Sequence, residues 1–87
     1  MKDKYIEISE IFKALGHPTR IRIVEGLIKN ECNVMHIVEC LNIPQSTVSQ
    51  HLCILKNSGI IEGERRGNQI CYKVINKKIK EVIDKFI

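Results

Sequence analysis

Four cysteines at 32, 40, 53 and 71, three histidines at 17, 36 and 51, and a crowd of short hydrogen-bonding side chains from 45 to 50 are the residues with chemistry to offer. The cysteines contain no CxxC pair, so they do not form a zinc-ribbon pattern. In a chain expected to stay in the cytoplasm they are not a disulfide framework either, which leaves free thiols or a sensor. His36 and Cys40 stand at i and i+4 and share an exposed face of a helix, but two ligands without a third do not make a metal site. No nucleophile, base and orienting group fall together and there is no phosphate loop, so the sequence predicts no catalytic residues.

The crowd is more informative. In "IPQSTVSQHLCILKNSGII", residues 43–61, the side chains of Gln45, Ser46, Thr47, Ser49 and Gln50 fill all but one of the positions from 45 to 50. Serine and threonine favour helix starts for capping alone. A merely solvated helix face, however, normally carries charge, and no Asp, Glu, Lys or Arg occurs between Ile43 and Ile54. Short neutral donors and acceptors on a helix suit base edges, where glutamine bonds adenine through two atoms. His51 adjoins this set, where a phosphate or base contact fits it better than a metal. Arg65 and Arg66, next to Gly67, offer a second contact, to phosphates or a narrow minor groove.

At 87 residues the chain is expected to be one domain, 1–87, close to the size at which a single core gives only marginal stability. It is 44% hydrophobic and 28% charged with a net charge of +4, the profile of a folded chain with a modest leaning toward a polyanion. No run approaches the roughly 18 apolar residues of a membrane span, and the N-terminus lacks the apolar stretch of a signal peptide, so a cytoplasmic protein without membrane contact is expected.

The elements that must position these residues follow from periodicity and punctuation. Residues 5–15 form a helix with Tyr5, Ile8, Ile11, Phe12 and Leu15 apolar and Gly16 at its end. Pro18 opens a second, with Ile21, Val24, Leu27 and Ile28 as its stripe. A short extended link at 31–34 leads to a third helix over 34–41, and Asn42, Ile43 and Pro44 make a turn. The fourth helix runs from about Gln45 to Asn57 with Val48, Leu52 and Leu55 inward. Ile60 and Ile61 lead into a hairpin around Arg-Gly-Asn, in which Ile70, Tyr72 and Val74 alternate. A fifth helix puts Ile79, Val82, Ile83 and Phe86 on one face. The third and fourth helices, joined by about three residues, make a helix-turn-helix. The expected fold is therefore mostly α with a small β-hairpin wing: a winged helix-turn-helix with five helices.

With "ALGHPTRIRIV" at 14–24, "NVMHIVECLNIPQSTVSQHLCILKNSGII" at 33–61 and the wing "GERRGNQICYKV" at 63–74, the chain resembles the ArsR/SmtB winged-helix repressors over nearly its whole length. The resemblance implies a homodimer built from the first and last helices. It also implies a palindromic double-stranded DNA operator, released when an inducer binds. The apolar faces of the two terminal helices agree with such a dimer, since so small a domain covers only part of them itself.

The family's sensing sites do not carry over. Arsenic and cadmium types resemble "ELCVCDL", whose cysteines fall here on Asn33 and Met35. Zinc, cobalt and nickel types need Asp and His where Asn76 and Lys78 stand. The persulfide type needs cysteine near Glu25 and in the last helix, and the type with cysteines in the recognition helix finds Cys53 one place out of register and Ser58 where a second cysteine would be expected. No metal ligands are assigned and the cofactor is left open. In a winged helix the strand before the third helix pairs with the returning wing strand, which would place Cys32 beside Cys71 at disulfide or soft-metal distance. A thiol sensor at Cys32 and Cys71 is one reading, and two small buried hydrophobes is the other. A DNA-binding regulator without a ligand, and a winged-helix interaction module that binds no DNA, remain the alternatives to an inducible repressor.

Overall fold

A computed structural model describes residues 3–29, 39 and 42–87. Among these there are four helices and one hairpin, in the order α1 (Lys4–Leu15), α2 (Pro18–Lys29), α3 (Gln45–Asn57), β1 (Ile61–Arg66), β2 (Gln69–Val74) and α4 (Lys77–Phe86). Four helices thus stand where the sequence predicts five. The helix expected over 34–41 and the link at 31–34 lie outside the described residues, except that Glu39 is helical.

Each boundary has a local cause. Asp3 caps α1, its Oδ1 accepting from the Tyr5 N–H at 2.8 Å. At α2, His17 takes this part through Nδ1, which accepts from the Thr19 N–H at 3.1 Å, and Pro18 follows where a missing N–H costs nothing. The C-terminus of α3 closes as a Schellman motif: the Ile60 N–H donates to the Leu55 carbonyl and the Gly59 N–H to the Lys56 carbonyl, both at 3.1 Å. Gly59 sits at φ 78° to allow it, and Ile60 and Leu55 are both fully buried, supplying the apolar contact that accompanies the motif. Asn76 caps α4 by accepting from the Ile79 N–H at 3.1 Å.

The two strands pair antiparallel from Ile61↔Val74 to Arg66↔Gln69, leaving Gly67 and Asn68 as a two-residue loop. Gly67 has φ 61°, which the first central position of such a loop requires when strands twist to the right. The Ile75 N–H reaches back to the Ile60 carbonyl at 2.9 Å and ties the hairpin's exit to its entry.

The core gathers Ile23, Val24 and Leu27 of α2 with Val48, Leu52 and Leu55 of α3, Ile60 and Ile61 before the wing, Ala14 and Leu15 of α1, and Ile79 and Ile83 of α4. The expected inward stripe of α3 is the observed one. On α2 the expectation shifts: Ile23 is fully buried, whereas Ile21 and Ile28 are only partly so. α2 packs against α1, α3, α4 and β2 together, so its covered arc is wider than a one-sided stripe. The terminal helices are not fully covered. Tyr5, Ile8 and Phe12 of α1 and Phe86 of α4 are exposed, although Ile79 and Ile83 turn into the core.

Candidate nucleic-acid interface

The inward stripe of α3 fixes what its other faces present. At about 100° per residue, Ser46, Gln50, Cys53 and Asn57 point away from Val48, Leu52 and Leu55, with Gln45, Ser49 and Lys56 on one flank and Thr47, His51 and Ile54 on the other. Gln45, Ser46, Ser49 and Gln50 are all exposed, while Thr47 and His51 are half-buried. The first turn of α3 carries no acidic residue, and Pro44 at its cap supplies no side-chain hydrogen bond. The Thr47 N–H donates to the Pro44 carbonyl at 3.1 Å, which leaves the Gln45 and Ser46 N–H groups and the positive end of the dipole open to an anion.

One flank meets the wing. Ser49, Leu52, Cys53 and Lys56 line a shallow groove that Tyr72 of β2 closes from the other side. Lys56 and Tyr72 were not among the residues picked out by the sequence. The signal was available for Lys56, which follows Ser49 by seven positions and so repeats its direction on a helix. It was not available for Tyr72, whose place depends on how the hairpin docks. Cys53 is an exposed free thiol in this groove, and its sulfur accepts from the Asn57 amide at 3.6 Å.

The other flank holds His51 differently from the sequence expectation of a plain groove contact. Its ring packs on that of His17, centroids 4.7 Å apart and planes tilted by 53°. His51 Nδ1 and the nearby Arg20 Nε are enclosed, and neither has a hydrogen-bond partner among the described residues. Burial, then His17, then Arg20 hold the His51 pKa below the ordinary imidazole value of 6.5. The unfolded chain therefore takes up this proton more readily than the folded one. Stability contributed here is intact above pH 6.5 and declines as pH falls from 6.5 through the lower folded value. Urea titrations between pH 7.5 and 5 should show this decline, and His51→Gln should flatten it; an unchanged slope in the variant would assign the titration elsewhere.

Arg65 and Arg66 are exposed near the hairpin tip, on opposite faces of the strand. Arg66 is paired with Glu64, Nη2 to Oε2 at 3.7 Å, and Lys73 with Glu62 at 3.4 Å. Cys71 is buried and disulfide-bonded. Cys53 is free, and Cys32, His36 and Cys40 lie outside the described residues. Among the described residues no group of three or more His, Cys, Asp or Glu is placed to hold a metal ion. Among them, too, no helix is long and apolar enough to cross a membrane.

Known proteins resemble this chain in sequence and fold. The model for bacterial regulatory proteins of the arsR family matches residues 17–63. An HTH-type transcriptional regulator of Methanocaldococcus jannaschii is 40% identical over 82 residues, covering 93% of this chain and 92% of that one. The transcriptional repressor PagR of Bacillus anthracis is 40% identical over 76 residues, 86% of this chain and 76% of its own. The crystal structure of PagR superposes with a TM-score of 0.84 at 35% identity, covering 97% of both chains. That of the repressor BigR from Xylella fastidiosa does so with a TM-score of 0.82 at 32% identity, covering 94% of this chain and 84% of that one. The mostly helical arrangement with its hairpin is thus the winged-helix fold of these structures.

Proposed function

Because the chain belongs to the ArsR family of bacterial regulatory proteins, we propose that it is a homodimeric, sequence-specific repressor that binds a palindromic double-stranded DNA operator and catalyses nothing. The supporting observation is the charge-free outward pair of α3, Ser46 and Gln50, with Ser49 on their flank, set beside a wing whose tip carries Arg65 and, in an ion pair with Glu64, Arg66. Neutral side chains that read base edges beside cations that hold phosphates are the division of labour that specific binding needs. The uncovered apolar residues of α1 and α4 give a second copy its place, and two copies related by a two-fold axis call for an operator with the same symmetry. Such a regulator acts where the chromosome is, in the cytoplasm, as one domain over residues 1–87.

A thiol-reactive, sulfur or soft-metal signal acting through Cys32 and Cys71 is the proposed inducer class. Cys71 supports it by its place: it is disulfide-bonded on β2 directly opposite Glu64, one pair away from Arg65↔Ile70, so a change at its sulfur bears on the strand that carries the wing. The test is a titration of the reduced protein against a duplex from upstream of its own gene, repeated after oxidant, polysulfide and a soft metal ion. The duplex should be retained under reduction and released by at least one of these treatments, and Cys71→Ser should abolish that release. Binding that no treatment changes would make this a ligand-independent regulator, and no binding even at low salt would end the repressor reading.

A further inference from the structure

We propose that the two wing arginines have different tasks and that Glu64 sets the difference: Arg65 is the arginine presented to DNA, while Glu64 competes with the phosphates for Arg66. The proposal rests on the DNA-binding reading above. Alternation along a strand puts Ile61, Gly63 and Arg65 on one face of β1 and Glu62, Glu64 and Arg66 on the other. The register carries both faces across to β2, where Val74, Tyr72 and Ile70 join the first and Lys73, Cys71 and Gln69 the second.

The first face is the one turned toward α3. Ile61 is buried in the core, and Tyr72 lies over Gly63 so closely that a Cβ there would meet its Cε1 at 3.0 Å. The same Tyr72 lines the groove with Ser49, Leu52, Cys53 and Lys56. Arg65 continues this face to the tip, on the side of the helix that reads the groove, and no carboxylate pairs with it among the described residues. Ile70, its cross-strand partner, is 51% exposed and extends the face with an apolar surface.

The second face is neutralised within itself. Glu62 holds Lys73 at 3.4 Å and Glu64 holds Arg66 at 3.7 Å. A phosphate that binds Arg66 competes with the Glu64 carboxylate for the guanidinium and is repelled by it. Pairs this exposed are weak enough to exchange, yet they subtract from any contact that replaces them. Glu64 thus acts as a positioning residue that lowers the affinity of the wing and keeps the complex easy to release.

The experiment titrates the parent, Glu64→Gln, Arg66→Ala, the two combined, and Arg65→Ala against the upstream duplex and a random-sequence duplex across a range of salt. Glu64→Gln should bind both duplexes about two- to fivefold more tightly, with a steeper salt dependence as Arg66 gains a phosphate. Arg66→Ala should cost little in the parent and more in the Glu64→Gln background, whereas Arg65→Ala should weaken the parent several-fold. Circular dichroism checks that these exposed changes leave the fold alone. Equal or weaker binding by Glu64→Gln with an unchanged salt slope, or equal losses for the two arginines in the parent, would overturn the proposal while leaving DNA binding intact. A parent that binds neither duplex at low salt would overturn both.

Discussion

Phe12→Asp should turn the proposed dimer into folded monomers and weaken operator binding by about a hundredfold or more. Phe12 is 58% exposed on α1, with Tyr5 at 71% and Ile8 at 46% on the same stripe, and α4 adds Phe86 at 84%. A substitution at so open a position changes the stability of the lone subunit by no more than about 0.5 kcal/mol. In a dimer the same side chain is covered, and each copy would then bury a carboxylate in an apolar seam without a partner, at a cost of several kcal/mol. The operator effect follows from linkage: two half-sites held by one dimer bind with a high effective concentration, and separate subunits lose it. Sedimentation of parent and variant decides the first part, and titration of the upstream duplex the second. A variant that still sediments as a dimer would remove α1 from the interface. A monomer that binds with undiminished affinity would break the link between pairing and DNA.

Punctuation was legible: Pro18, Pro44, Gly59 and Gly67 stand at the observed ends of α2, α3 and the hairpin, because each answers a requirement of the backbone at its own position. The inward residues of α3 were legible for a related reason, since a helix packed on one side declares that side by its period. Ile23 was not, because α2 is covered by neighbours on several sides, and their number is set by the rest of the chain.

The candidate site divides in the same way. The outward arc of α3 was visible as an absence of charge. The contact between His17 and His51 was not, since it joins a cap on one helix to the middle of another across 34 positions of sequence. Nor was the division between Arg65 and Arg66. Adjacent residues on a strand always face apart, but which of them faces α3 is decided by Tyr72 docking over Gly63. Position in the chain supplies the residue types, and the packing of the hairpin assigns their directions.

Gln50→Ala should cost roughly 1 to 3 kcal/mol per half-site on the operator, about 5- to 150-fold, and nothing on random DNA. Gln50 points almost opposite the core stripe of α3 and is exposed, so its removal leaves packing intact, and alanine is the better helix former. Its amide presents a donor and an acceptor side by side, as the edge of adenine requires. Because it carries no charge, losing it displaces no counterion, and the salt slope should stay that of the parent. A contact to phosphate would behave otherwise, weakening both duplexes by one factor. Competition titrations with the operator, single base-pair variants of it and a random duplex separate the cases. Relaxed discrimination at one position of each half-site, at constant salt slope, is the expected result. A uniform loss on all three duplexes would make Gln50 a backbone contact and shift base reading to Ser46 and Ser49.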